Sequence, residues 1–386
     1  MKITKKLFIL ALSAALVCGF AGCTKKGASG DVIKIGVFEP LTGANAGGGA
    51  IELEGIRLAN QLTPTVEVDG KTYKVELVIA DNKSDKVEAA TAVERLITRD
   101  KVNVILGSWG SSLSIAGGAI AQDRKIPVIG LSCTNPLVTA GNDFYFRVCF
   151  IDPFQGTVMA KYAFSDLKAK TTVIVQEISN DYSVGLAKFY SDEFLRLTGN
   201  PKAILTTINY NTGDQDFSAQ VTQIKNLNPD VIFAPGNFTE SALVIRAARD
   251  LGIKTPFLGG DTYETNEFID VGQDRVEGTT FSTFFDAAGA TDGIAKIFVD
   301  EYRKQYNKEP AAVTALGFDG YRLALDAIKR ANSTNPQKIR DELAQTIGFE
   351  GAAGIVTLDK NGDATKSAFI KTVNGGKFIF KTIVNP

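Results

Sequence analysis

Two short loops carry hydroxyl groups where an anion could be held. Gly107-Ser108-Trp109-Gly110-Ser111-Ser112 follows a β-branched run at 102–106, and Ser132-Cys133-Thr134-Asn135-Pro136 follows another at 126–131. In an open parallel sheet, ligands bind beyond the carboxyl ends of the strands, where backbone N–H groups and helix N-termini point outward. Ser111 and Thr134 are each placed to cap a helix while offering a hydroxyl and an N–H, although capping alone would account for either one. Two such groups at adjacent strand ends point to a carboxylate site. A third loop, glycine-rich, covers residues 39–49 after the first strand.

The chain excludes much chemistry. Among its 386 residues there is no histidine, which removes Ser-His-Asp and Cys-His catalysis and the commonest zinc ligand. No CxxC pair is present, so neither a metal nor a dithiol redox site is expected, and no catalytic residue is assigned. The strongest enzyme alternative is a dinucleotide-binding oxidoreductase, because the glycine-rich loop follows strand one and Asp81 ends strand two. Its glycines do not follow G-x-G-x-x-G, and there is no GK[ST] phosphate loop, so no cofactor is expected.

At the other chemical extreme stands Cys23. It closes a leader of Lys2, Lys5 and Lys6, an apolar run at 7–17 and the small pair Ala21-Gly22. That order reads as a signal peptide over 1–22, with Cys23 as acceptor for bacterial lipid modification and 23–30 as a polar tether. Phe20 stands where Leu is commoner, and Cys18 is a poorer acceptor because Val17 precedes it. The apolar run is too short to span a bilayer, so the lipid is the only membrane contact expected. Without residues 1–22, three of the 42 Lys and Arg and none of the 43 Asp and Glu are lost, leaving a net charge of −4 and no case for nucleic-acid binding. Of the remaining cysteines, Cys133 and Cys149 are either two free thiols or one disulfide.

The elements that must position these loops alternate in an α/β rhythm. Strands are predicted at 32–37, 74–80, 102–106 and 126–131, with helices marked by Ile51, Leu53, Ile56, Leu58 and Leu62, and by Val87, Val93, Leu96 and Ile97. The rhythm restarts after Cys149 with strands at 172–175, 203–208, 230–234 and 256–258 and helices at 184–197, 217–227 and 241–251. Later come an extended stretch at 279–285, helices at 294–306 and 311–330, and closing strands at 354–358, 368–373 and 377–383 around an Asn374-Gly375-Gly376 turn. The fold class is therefore α/β, with two Rossmann-like lobes built on parallel sheets.

The chain also resembles the periplasmic leucine/isoleucine/valine-binding protein family, the type I solute receptors of ABC importers. The resemblance is carried in order by Ile35-Gly36-Val37-Phe38-Glu39-Pro40-Leu41-Thr42-Gly43, the 107–112 loop, Thr134-Asn135-Pro136, Phe146-Arg147-Val148-Cys149 and Asp181-Tyr182. It continues through Asp216-Phe217, Gly259-Gly260-Asp261, Phe318-Asp319-Gly320-Tyr321 and Gly354-Ile355-Val356-Thr357-Leu358-Asp359. What it implies is a type I periplasmic binding protein fold whose two lobes are joined by three crossings, near 146–150, 278–284 and 351–356. One lobe would combine 31–149 with 280–352, and the other 150–279 with 353–386. It further implies a receptor that closes over one small ligand, an amino acid, and presents it to the membrane subunits of an ABC permease; with the leader and Cys23, the expectation is an exported, lipid-anchored monomer.

By the same resemblance, Ser111, Ser132 and Thr134 would hold the ligand's carboxylate, Tyr182 would supply an aromatic from the second lobe, and Asp261 would take the ammonium. The chain departs from the family where side-chain selectivity is set: Gly48 replaces an aromatic in the first loop, Trp109 replaces a smaller apolar residue, and Asn237 or Phe238 stands near another aromatic position. A disulfide found in some relatives is missing, with Ser84 and Gly110 at the matching places. Branched aliphatic and aromatic side chains both fit the expectation. A sensor feeding a signalling receptor, or a receptor for an amide or short peptide, remains open on the same fold.

Overall fold

The computed structural model describes residues 31–386; the expected signal peptide, tether and Cys23 acceptor lie outside the described residues. No helix among the described residues is long and apolar enough to cross a membrane. The first half runs β1 (Val32–Glu39), α1 (Ala46–Leu62), β2 (Thr65–Val68), β3 (Lys71–Asp81), α2 (Lys86–Thr98), β4 (Val104–Leu106), α3 (Ser111–Arg124), β5 (Val128–Gly130) and β6 (Tyr145–Arg147). These strands form one six-stranded sheet in the order β2-β3-β1-β4-β5-β6. From Ile33 to Glu39 β1 is almost wholly buried, as a central parallel strand covered on both faces must be.

The second sheet follows through α4 (Asp152–Lys161), β7 (Thr172–Glu177), α5 (Asp181–Thr198), β8 (Ile204–Tyr210), α6 (Ser218–Leu227), β9 (Val231–Phe233), α7 (Phe238–Asp250), β10 (Phe257–Gly259), α8 (Asn266–Gly272) and β11 (Thr280–Thr283). The chain then makes α9 (Gly293–Tyr306), α10 (Ala312–Ala331), α11 (Pro336–Leu343), β12 (Phe349–Gly351), β13 (Gly354–Val356), β14 (Ala368–Asn374) and β15 (Lys377–Val384). Seven strands pair in the order β15-β14-β11-β10-β9-β7-β8. Strand order reverses beside β1 and beside β7, so the loops after those strands stand at the switch points where α/β sheets open a crevice.

Several expectations need correction. Both sheets are mixed: β2 runs antiparallel to β3, and β14 and β15 are antiparallel. The hairpin at β2 was unread, although Asp69-Gly70, both at positive φ, is an Asp-Gly turn signal. Residue 280, expected back in the first lobe, lies inside β11 and pairs with β10 and β14. Gly354–Val356 does not join the second sheet but pairs with Phe349–Gly351 as a separate ribbon. Residues 146–147, expected at a crossing, still belong to β6. Cys133 and Cys149 are free and buried.

The sharpest packing constraint is where α10, most of it buried, crosses α1. A Cβ on Gly55 would lie 1.9 Å from the Thr314 carbonyl oxygen, and one on Gly317 would lie 2.2 Å from the Glu52 carbonyl oxygen. The two backbones touch, which only glycine permits. The crossing fixes α1 and thereby the loop that leads into it. Gly55→Ala should lower unfolding stability by about 1–3 kcal/mol, read in a urea titration, whereas an exposed alanine substitution elsewhere should not.

Candidate functional site

The loops after β4 and β5 meet the loops after β7, β9 and β10 across one cleft. Trp109, Ser111, Ser132, Tyr182, Asn237 and Asp261, six of the seven residues singled out in the sequence, line one cavity together with Gly110 and Thr262. The walls close until about 10 Å³ remains, the room of one water. The seventh, Thr134, is fully buried nearby without lining it.

Asp261 sits two residues beyond β10 and opens a single 3-10 turn, 3 % exposed. Its Oδ1 accepts from Gln155 Nε2 at 2.7 Å and from the Tyr182 hydroxyl at 3.0 Å. From the described residues Oδ2 accepts nothing, and no Lys or Arg lines the cavity. Burial raises its pKa to about 6, against the lowering effect of those two hydrogen bonds. Tyr182 is delivered by α5, whose N-cap Asn180 accepts from the Tyr182 amide. Gln155 comes from α4, a helix unread in the sequence, and also donates to Ser282 on β11 at 3.0 Å.

At the opposite wall the hydroxyls behave differently from the expectation. Ser111 is the first residue of α3 rather than its cap; Gly110 precedes it with no side-chain cap. The Ser111 hydroxyl accepts from the Asn135 amide at 3.2 Å, leaving its own proton to give. Thr134 caps nothing: the turn after it is one 3-10 turn, Pro136–Val138, capped by Asn135. The Thr134 hydroxyl is buried without a partner. One helix N-terminus, not two, therefore faces the cleft here, that of the 14-residue α3; the Leu113 and Ser114 amides go to the Gly110 carbonyl, and among the described residues those of Ser111 and Ser112 have no acceptor.

Sequence reasoning missed two buried acids. Glu39, at the end of β1, accepts from the Trp109 amide at 2.7 Å through Oε2. Glu52, on α1, is fully buried, and neither of its oxygens has a hydrogen-bond partner. Burial pushes Glu52 up to about 8, with the Ser132 hydroxyl and Glu39 opposing and the Asp261 charge adding to the rise. Burial and then Glu52 push Glu39 well up, and burial does the same to Asp152 beside Thr134. A signal existed: Glu52 shares a helix face with Ile56 and Ala59, so the amphipathic pattern put an acid on the core side.

Trp109 and Gly48 are one feature. A Cβ at Gly48 would fall 2.4 Å from the Trp109 indole, so the ring lies where the first loop carries no side chain. Phe238 supports the indole edge-on at 5.7 Å. Asn237 spans the cleft, accepting from Asn180 at 3.1 Å and donating to Asn45 at 3.0 Å. Outside the cavity, Asp181 of α5 receives Ser112 Oγ at 2.7 Å and Lys86 Nζ at 2.9 Å, while its carbonyl receives Asn135 at 2.7 Å. The cleft is clasped shut. Asp81, the acid that suggested a ribose partner, is occupied by Thr42 and by the amides of Leu41 and Lys83.

The profile of the periplasmic binding protein family matches residues 32–377. The leucine binding protein LivK of Thermotoga maritima is 42% identical, with a TM-score of 0.88 over 92% of this chain and 99% of its own. The branched-chain amino acid transporter substrate binding protein LivJ of Streptococcus pneumoniae, solved in complex with isoleucine, is 32% identical, with a TM-score of 0.85 over 92% of this chain and 100% of its own. Leu/Ile/Val-binding protein homolog 1 of Brucella melitensis is 27% identical over 368 residues, 95% of each chain.

The raised acids have a consequence for stability. Glu52 moves from an ordinary 4.5 to about 8 on folding, so between those values the folded chain holds more protons than the unfolded one, and stability falls as pH rises. Asp261, Asp152 and Glu39 act in the same direction. The melting temperature of the protein without added ligand should therefore drop by several degrees from pH 5 to pH 8, and Glu52→Gln should flatten that slope; a slope unchanged by the substitution contradicts the assignment.

Proposed function

Because the chain belongs to the periplasmic binding protein family, we propose that it captures a zwitterionic amino acid with a hydrophobic side chain outside the cytoplasm and delivers it to an ABC permease. The protein binds a ligand and is not an enzyme. The observation that carries the proposal is the buried Asp261 carboxylate, with Oδ2 unoccupied, facing neutral hydroxyls across the same cavity.

The cleft opens, and the ligand's carboxylate docks on the first lobe, on the Ser111 and Ser132 hydroxyls and the free amides of Ser111 and Ser112 at the start of α3, with Thr134 behind. Neutral donors at a helix N-terminus can hold a carboxylate without a buried arginine. Closure then brings Asp261 and Tyr182 onto the ammonium, and Trp109, backed by Phe238, walls the side chain. No bond is made or broken. The first lobe takes the sheet of β1–β6 with α9–α11, and the second takes the other sheet, so the middle crossing falls after Thr283 rather than before it. Cys23 carries the lipid that keeps the receptor at the membrane.

Calorimetry against the twenty amino acids is the direct test, with leucine, isoleucine and valine expected among the binders. Asp261→Asn should weaken binding by about 2–5 kcal/mol, 30-fold or more, because it removes the charge facing the ammonium. With Asp261 at about 6, affinity should also fall as pH drops below that value, by up to tenfold per unit. An Asp261→Asn protein that binds as tightly as the parent refutes the ammonium assignment. Separately, Cys23→Ala should move the exported protein from the membrane fraction to the soluble one and abolish incorporation of labelled palmitate.

A further inference from the structure

The carboxyl of Glu52 has no place in that account, yet with Asp152 it is one of two buried carboxyls near the cleft on which neither oxygen has a partner. It is fully buried, both oxygens lack a partner, and it lies just behind the cavity wall without lining it, one helical turn beyond Gly48, where a Cβ would meet the indole of the lining residue Trp109. Its helix is pinned by the glycine crossing with α10, where a Cβ on Gly317 would meet the Glu52 carbonyl oxygen, so the backbone that carries this side chain is fixed. Glu52 comes from the first sheet's side and Asp261 from the second's.

We propose that Glu52 is a second acceptor for the ligand's ammonium, reaching it from the jaw opposite Asp261, so that the cation bridges two carboxyls that closure brings together. This rests on the amino-acid reading above and adds a recognition residue to it. An ammonium has three N–H donors. Asp261 has one oxygen left after Gln155 and Tyr182, so a second carboxyl completes the set.

The surrounding groups leave Glu52 without another counter-charge. From β1 it faces Glu39, whose Oε2 is held by the Trp109 amide, and after β5 it faces Ser132 and Cys133. On α10, packed along α1, Asp319 is bonded to the amides of Ala352 and Ala353, Tyr321 to the Thr63 carbonyl and Arg322 to the Glu350 carbonyl. On α9, Tyr302 is bonded to Glu54. Arg147 is buried but held by Asp363 and the carbonyls of Cys133 and Asn135. Among the described residues, no three ligands are grouped to hold a metal ion instead.

The bridge requires a proton to leave. Below about pH 8 Glu52 is a neutral acid, and when the ammonium arrives its O–H proton passes to the solvent buffer while the ligand's three N–H bonds stay intact. The experiment is calorimetry of the parent protein with L-leucine at pH 7 in two buffers of different ionisation enthalpy, repeated with Glu52→Gln and with 4-methylpentanoate, which lacks the ammonium.

The parent should release close to one proton per leucine. Glu52→Gln should release almost none and bind at least tenfold more weakly, and neither protein should take up the des-amino acid. Leucine binding by the parent without proton release, or a Glu52→Gln protein with unchanged affinity and proton count, overturns this proposal and leaves the amino-acid reading standing. Should Glu52→Gln fail to fold, as seen by circular dichroism, the parent's proton count decides alone. Absence of binding to any amino acid overturns both.

Discussion

A carboxylate shut away from water with no cation beside it is the interaction on which the cleft depends. Burying an ionised acid is costly, and a protein either pairs it, hydrogen-bonds it or lets its pKa rise. Asp261 shows the last two: Gln155 and Tyr182 hold one oxygen, and its pKa still moves up to about 6. Such a site gains most from a guest that brings its own positive charge. Had a lysine or arginine lined the cavity, the acid would be satisfied internally and a simple carboxylate could compete for the cation. The hydroxyl wall at Ser111 and Ser132 is the complement, because it offers donors without adding charge.

That arrangement exists only because two sheets turn their carboxyl edges toward each other. The residues that meet in the cavity come from positions as distant as Trp109 and Asp261, and each is presented by the end of a strand or the start of a helix. The precision is set behind the cavity. The contact of Gly55 and Gly317 with facing backbone fixes α1, and Glu39 fixes the Trp109 amide. Neither glycine touches the cleft, yet both decide where the first loop lies.

Much of this was legible in the sequence, and what was not has physical reasons. Strand ends were readable because buried parallel strands are continuous apolar runs and the loops after them are polar, which singled out Ser111, whereas Ser132, Tyr182 and Asp261 were assigned through the family resemblance. Thr134 was misplaced as a cap because a hydroxyl before Pro136 and a helix start look alike locally; only the structure shows that Asn135 takes that work in a 3-10 turn. Glu52 was hidden by its neighbours Ile51 and Leu53, which made the helix look ordinary although its phase turned an acid inward. The exchange of an aromatic at 48 for Trp109 was visible as two departures. Their unity was not, because the indole filling the space above Gly48 is a tertiary contact between residues 61 positions apart.

The clasp around Asp181 bears on how the cleft can work. Its ion pair with Lys86 is about half exposed on both sides, and such pairs contribute on the order of 0.2–1 kcal/mol. The Ser112 hydroxyl donates to the Asp181 carboxylate, a bond of about 1.5–3 kcal/mol, and the neutral bonds from Asn135 and Asn237 are each worth about 0.5–1.5 kcal/mol net. Together these give closure a few kcal/mol, a bias that burying Asp261 in a cavity lined by no Lys or Arg opposes. Opposing contributions bring open and closed forms nearer in free energy, the condition under which a small ligand can shift the population. A clasp built of apolar surface would remain shut, and acids without a clasp would hold the cleft open; the polar rim with an acidic interior makes closure depend on what lies between.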